Sequence, residues 1–526
     1  MVQKVQIYDT TLRDGNQARG ISLSLADKLQ LTRRLDRFGI DYIEGGWPNP
    51  TSPLDMEYFK EVQNLQLKHA KVVAFGSTRR AGNRVEEDPV LRHLVESGAR
   101  VFTIFGKSWD LHVTEVLRTS LEENLAMIEE SIAFLKQNSD EVFYDAEHFF
   151  DGYKANPEYA LQTLEAAAKG GADIIVLADT NGGMAETWLL EEIIEKVQQR
   201  ISTPLGIHAH NDTGTAVINS LVAVKCGAVQ VQGVMNGYGE RCGNANLTTI
   251  VANLHFKMGV ELNCAPHMKE LRQLSIDLDE TVGLPNDIRA PYVGTAAFAH
   301  KGGAHIDGVS KVAHSFEHLD PALVGNVREF IVSDQAGSAL VVDRIKSIVP
   351  EIDKRNPAVA KILEEVKRLE HEGYQFETAD GSFELLVRRA LGLWVSPMET
   401  IGYRVIEEMR GGGSSVSEAS VKIRVGERVL HRVAEGDGPV NALDAALRLT
   451  LLSEFPYIQS VSLDNFKVRV LDAKAGSAAR VRVWATFSNG KGSWGTVGVS
   501  QNIIEASWKA ILDGLDYRIM KESANG

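Results

Sequence analysis

The side chains most able to do carbonyl chemistry sit in a few short stretches. Arg13 and Asp14 stand side by side in IYDTTLRDGNQ (residues 7–17), and His208 and His210 are two apart in LGIHAHND. Residues i and i+2 of a strand point to one face, so both imidazoles can reach one ion. Two imidazoles and a carboxylate make a ligand set with open positions for water and substrate oxygens, compatible with Mg2+, Mn2+, Co2+ or Zn2+. Cys242 in GERCGN is the only thiol within these stretches, which puts Mg2+ or Mn2+ first. Asn244, two residues on, adds an oxygen directly or through water. Such an ion chelates a 2-oxo acid through its carboxylate and keto oxygen and polarises the carbonyl carbon.

Arg13, next to Asp14, is placed to neutralise an alkoxide on that oxygen, a role in which losing one donor typically costs ~3 kcal/mol. The competing reading is a structural pair with Asp9 or Glu44. Thr180 in ADTNGG is a donor for a substrate carboxylate or the cap of a following helix. Glu147 in DAEHFFD and His305 in GGAHIDG are candidates to move protons, with Glu240 a third whose plainer reading is a pair with Arg241.

Eight short apolar runs position these residues: 5–9, 41–45, 71–75, 100–105, 141–147, 173–179, 205–210 and 229–234. Between them lie segments with helical spacing, such as 25–39 and 121–137. Alternating β and α segments predict a parallel sheet, and eight units over roughly 255 residues predict an α/β fold of the (β/α)8 TIM barrel type. Its chemistry gathers where strands end, and LRDGNQ, DAEHFFD, ADTNGG, HAHND and NGYGERCGN all follow strands.

The barrel is expected over 1–265 and helical linker subdomains contributing to the active site over 266–409, interrupted by a Gly- and His-rich stretch at 297–308. The Gly/Ser run RGGGSSVSEAS (410–420) predicts a flexible joint. An α+β regulatory domain then runs over 410–526 with an internal repeat, in which Asn441 aligns with Asn502 and Asp444 with Glu505. An Asx followed by an acid reads as helix capping, or as paired helix N-termini receiving the carboxylate of a small effector.

Composition is that of an ordinary folded protein, with 44% hydrophobic and 24% charged residues. A net charge of −14 excludes broad nucleic-acid or anionic-membrane binding, which needs a basic surface. Three cysteines without C-x-x-C spacing argue against disulfides and structural zinc, and with no long apolar run the expectation is a cytoplasmic protein.

DTTLRDGNQ, HAHND, GYGERCGN, GGAHIDG and the duplicated C-terminal unit together resemble the alpha-isopropylmalate, homocitrate and citramalate synthase family of metal-dependent acyl-CoA condensing enzymes. FGKSWDLHVTEVLRTSLEENLAMI and DAEHFFDGYKANPEYAL look most like the citramalate synthase branch, which joins pyruvate to acetyl-CoA on the way to isoleucine. The resemblance implies that Asp14, His208 and His210 hold the metal, that Arg13 and Thr180 contact the oxo acid, and that Glu147 and His305 serve acid–base steps. It also implies homodimers and feedback by isoleucine or leucine at the C-terminal domain. The family's tyrosine after the GxHxDG-like stretch is replaced here by Phe316, which cannot donate a proton. The alternatives are a sister synthase using a larger 2-oxo acid, such as a 2-isopropylmalate or homocitrate synthase, or a non-catalytic amino-acid sensor.

Overall fold

The eight apolar runs fold as strands β1 (Gln6–Asp9), β2 (Tyr42–Gly46), β3 (Lys71–Ser77), β4 (Val101–Lys107), β5 (Glu141–Glu147), β6 (Ile174–Asp179), β7 (Leu205–Ala209) and β8 (Gln230–Gly233). Every neighbouring pair is parallel, and β8 pairs with β1, closing the barrel. The computed structural model describes residues 3–331, 338–352, 356–409, 415–471, 479–490 and 492–525. Both faces of a parallel barrel strand are covered, which is why β6 reads IIVLAD with all six residues buried.

The connecting helices start and stop on local signals. Helix Leu25–Phe38 opens on a reciprocal cap between Ser24 and Asp27 and ends at Gly39, whose φ of 95° suits a residue without a Cβ. Helix Leu121–Lys136 is capped by Ser120, and Pro157–Gly170 by Asn156 with proline in its first turn.

Inside the barrel, Tyr8, Tyr42, Val73, Val101, Phe143, Ile174 and Val176 form an apolar floor toward the N-terminal ends of the strands. Tyr42 meets Phe143 edge-on with ring centres 5.0 Å apart. Burying a ring such as Phe143 contributes about 1.5–3 kcal/mol. The floor is filled, and the cavity the strands enclose lies at the opposite, C-terminal rim.

The chain packs as two compact units: Met1–Phe298 with Leu319–Arg328, and Ala299–His318 with Glu329–Gly526. In the second unit, strands Met398–Met409, Ser415–Val425 and Arg428–Gly436 make an antiparallel sheet followed by helix Pro439–Leu451. Strands Ser462–Val470, Val481–Ser488 and Ser493–Ser500 make another, followed by helix Ile503–Asn525. The internal repeat is thus βββα twice over, with inward residues Ala419, Val421 and Ile423 of one half matched by Val483, Ala485 and Phe487 of the other in one core.

Three local expectations are corrected. The Gly- and His-rich stretch carries a helix, Gly303–Lys311. Residues 410–414 of the Gly/Ser joint lie outside the described residues, and from Ser415 the chain is strand, paired in register with Met398–Met409, which is the first strand of the repeat. Asn441 and Asn502 are not equivalent caps. Asn502 precedes its helix and accepts from the N–H of Ile504 at 2.8 Å, whereas Asn441 lies inside helix Pro439–Leu451 and reaches back to the N–H of Asp437 at 3.1 Å.

Candidate active site

Asp14 follows β1 in a tight turn in which the N–H groups of Arg13 and Gly15 both donate to the carbonyl of Thr10. His208 lies in β7, and His210, one residue past it, bridges to Asn244 in the loop after β8. These elements converge: one ligand atom from each of Asp14, His208 and His210 lies within 4.8 Å of the others, and all three residues are buried. The Nε2 atoms of His208 and His210 stand 3.8 Å and 3.9 Å from Asp14 Oδ2.

The residues fit a divalent cation on several counts. His208 Nδ1 is 3.0 Å from the side-chain oxygen of Gln232, whose amide nitrogen donates to Asp145 at 3.1 Å. Nδ1 therefore carries the proton, and the Nε2 lone pair faces Asp14, the arrangement a metal-binding histidine needs. Asn244 Nδ2 donates to Asp14 Oδ1 at 2.9 Å while its own Oδ1 is buried without a partner, an acceptor that a cation would satisfy.

Electrostatics prepare the same state. Burial pushes the Asp14 carboxyl up, but the adjacent Arg13 guanidinium, the two imidazoles and the Asn244 hydrogen bond hold it at about 2. Burial, reinforced by His208, lowers His210 to about 4, and burial lowers His208 against the pull of Asp14. At neutral pH the cluster is a carboxylate and two neutral imidazoles, so little proton release opposes a metal.

The triad opens on a cavity of about 250 Å³ lined also by Arg13, Thr180, Glu147, Trp47, Phe75 and Phe105. Arg13 makes one of its two expected structural pairs, with Glu44 at 2.5 Å and not with Asp9, and it also contacts Asp14 at 3.1 Å while its guanidinium lies 3.8 Å over the Phe75 ring. Glu44 is itself held by Tyr8 and by Thr10. Thr180 is no helix cap, since the next helix starts at Thr187. Its hydroxyl oxygen accepts the N–H of His148 at 2.9 Å, which leaves the hydroxyl proton to donate elsewhere. Glu147 pairs with Lys107. Glu240 lines the cavity, and Arg241, with its backbone in the left-handed region at φ 57°, pairs with Asp212 instead of Glu240. His305 belongs to the second unit, where its ring stacks on Phe316 at 4.6 Å.

Sequence reasoning missed Asp145, Gln232 and the full role of Glu44. Burial lifts Asp145 to about 8, with the charge of Glu44 adding to it. The available signal was a polar residue inside a short apolar parallel strand, repeated at i and i+2 as in Gln230 and Gln232.

Residues 4–278 match the HMGL-like family model, 292–374 the homocitrate synthase post-HMGL domain-like model, and 377–519 the LeuA allosteric (dimerisation) domain model. The chain is 49% identical to the (R)-citramalate synthase of Aquifex aeolicus across 100% of both chains. It is 48% identical to that of Geobacter sulfurreducens across 98% of each. It is 30% identical to the 2-isopropylmalate synthase of Methanocaldococcus jannaschii, over 98% of this chain and 95% of that one. No helix among the described residues is long and apolar enough to cross a membrane.

Proposed function

Because the chain belongs to the HMGL-like family, in the group that contains the citramalate and 2-isopropylmalate synthases, we propose that it condenses the acetyl group of acetyl-CoA with pyruvate, releasing citramalate and CoA. The observation that carries this reading is the small cavity whose polar end is Asp14, His208, His210, Arg13 and Thr180 and whose wall is aromatic. Trp47, Phe75 and Phe105 pack on one another with ring centres 5.5–5.9 Å apart. A methyl group suits such a wall. A branched side chain needs more room against these three rings.

Each side chain has a role that its environment supports. A divalent cation held by Asp14, His208 and His210, with Asn244 beside them, would supply Lewis-acid polarisation of the keto group. Mg2+ or Mn2+ fits the oxygen and imidazole donors best, with Zn2+ or Co2+ as substitutes. Thr180 donates its hydroxyl proton to the substrate carboxylate. Arg13, fixed by Glu44, Asp14 and the Phe75 face, stabilises the negative charge that develops on the keto oxygen. Glu147 takes a proton from the thioester methyl group. Hydrolysis of the thioester then makes the condensation effectively one-way.

The three-part organisation (1–265, 266–409 and 410–526), a homodimer, a cytoplasmic location and feedback by isoleucine or leucine near Asn441 and Asn502 complete the proposal. The match to an allosteric and dimerisation model supports its regulatory part. The test is steady-state thiol release with pyruvate, 2-oxoisovalerate and 2-oxoglutarate, with and without a chelator. Chelator-sensitive release with pyruvate is expected. Preference for a larger acid moves the reading to a sister synthase, and amino-acid binding without turnover by any of them moves it to a sensor.

A further inference from the structure

Lys107 ends β4 directly beside Glu147, the last residue of β5, in the barrel register. Its ammonium donates to Glu147 Oε2, and its carbonyl accepts from the fully buried Asn124 at 2.8 Å. Its Nζ lies 5.3 Å from the centre of the Phe105 ring, which lines the cavity together with Glu147. With 16% of the Lys107 side chain and 23% of Glu147 exposed, this is no solvated surface pair. Adjacent strands fix both ends of it, so the cation stands where Glu147 acts.

The geometry points to Lys107 as the cation that stabilises the enolate formed when Glu147 deprotonates the acetyl thioester. This rests on the condensation reading above. In that step a C–H bond of the methyl group breaks and its proton goes to a Glu147 carboxylate oxygen. The freed electron pair forms the C=C bond, and the carbonyl π pair moves onto the thioester oxygen. Negative charge leaves Glu147 and appears on an oxygen a short distance away. A lysine hydrogen-bonded to the first position needs only to exchange one hydrogen bond to meet the charge at the second. The enolate carbon then bonds to the keto carbon. The aromatic wall lowers the local dielectric, which strengthens an ammonium aimed at developing charge.

The test uses full-length protein and the variants Lys107→Met, which keeps the stem, and Lys107→Arg, which keeps the charge. Two rates are measured: thiol release with pyruvate, and wash-in of deuterium from D2O into the acetyl-CoA methyl group with oxamate in place of pyruvate. Lys107→Met is expected to slow both by about 100-fold or more, the usual loss for one oxyanion donor, with pyruvate KM and Mn2+ affinity unchanged. Lys107→Arg is expected to restore at least about tenfold of that loss. Rates within about threefold of wild type in Lys107→Met overturn the inference, as does a loss that tracks lower Mn2+ affinity or a lower melting temperature. A wild-type protein that releases thiol with no 2-oxo acid overturns the condensation reading as well. A working wild type with an unaffected Lys107→Met variant removes the lysine alone.

Discussion

Replacing Gln232 by Leu interrogates the support of the metal-binding cluster without touching a proposed ligand. Gln232 is fully buried and joins His208 Nδ1, at 3.0 Å, to Asp145, at 3.1 Å. Leucine keeps most of the volume but leaves the His208 N–H without an acceptor. A buried donor left unpaired costs about 1–3 kcal/mol, and the ring also loses the contact that fixes its tautomer and tilt. Loss of such an outer contact typically weakens metal affinity about 10–100-fold, or about 1.4–2.7 kcal/mol. Calorimetric titration with Mn2+ should show this drop in the variant, with kcat at saturating Mn2+ recovering to within a few-fold. In a double-mutant cycle with His208→Ala the two effects should fail to add, because both act through one imidazole ring. Unchanged Mn2+ affinity, or full additivity with His208→Ala, would refute the reasoning.

Other outcomes follow from the same geometry. Gly239 has a φ of 141°, and a Cβ there would meet Asn244 Nδ2 at 2.2 Å, so Gly239→Ala should cost about 1–3 kcal/mol in backbone strain and weaken Mn2+ binding by displacing the amide that holds Asp14. Differential scanning calorimetry and Mn2+ titration check the two effects. Phe105→Ala removes a ring from the aromatic wall and should raise kcat/KM for 2-oxoisovalerate relative to pyruvate by at least about tenfold, the low end of what accommodating one methylene is worth. The pH dependence of stability in chelated protein reports on two buried carboxyls, Asp145, which burial raises to about 8, and Asp9, which burial raises to about 7, and Asp145→Asn isolates the first. For Asp145, between about pH 4, where the unfolded carboxyl ionises, and pH 8, the folded state binds the extra proton, so this group's contribution to stability falls as pH rises, by about 1.4 kcal/mol per pH unit. Asp145→Asn should remove that part of the slope in urea titrations compared at pH 5 and pH 7.5.

The barrel was legible in the sequence because strands buried on both faces leave unbroken apolar runs, and those runs ended where the polar motifs began. The same logic exposed Asp14, His208 and His210. Two imidazoles at i and i+2 share a face whatever the surroundings, and a strand end locates that face at a rim. The supporting residues were hidden because Glu44, Asp145 and Gln232 matter only once the barrel closes and their strands face one another across its interior. Strand Met398–Met409 escaped notice because Glu399, Arg404, Glu407 and Glu408 break its apolar alternation, which an antiparallel strand with a solvated face tolerates. Asn441 and Asn502 align in sequence yet differ in role, since Gly438 and Pro439 start their helix earlier relative to the asparagine.

The central claim is that Asp14, His208 and His210 hold one cation, and electron spin-echo spectroscopy of bound Mn2+ tests it most directly. One Mn2+ per chain coupled to two imidazole nitrogens is expected, falling to one nitrogen in His210→Ala, with tight binding lost in Asp14→Ala. Stoichiometric Mn2+ without nitrogen coupling, or binding that survives Asp14→Ala unchanged, would contradict it.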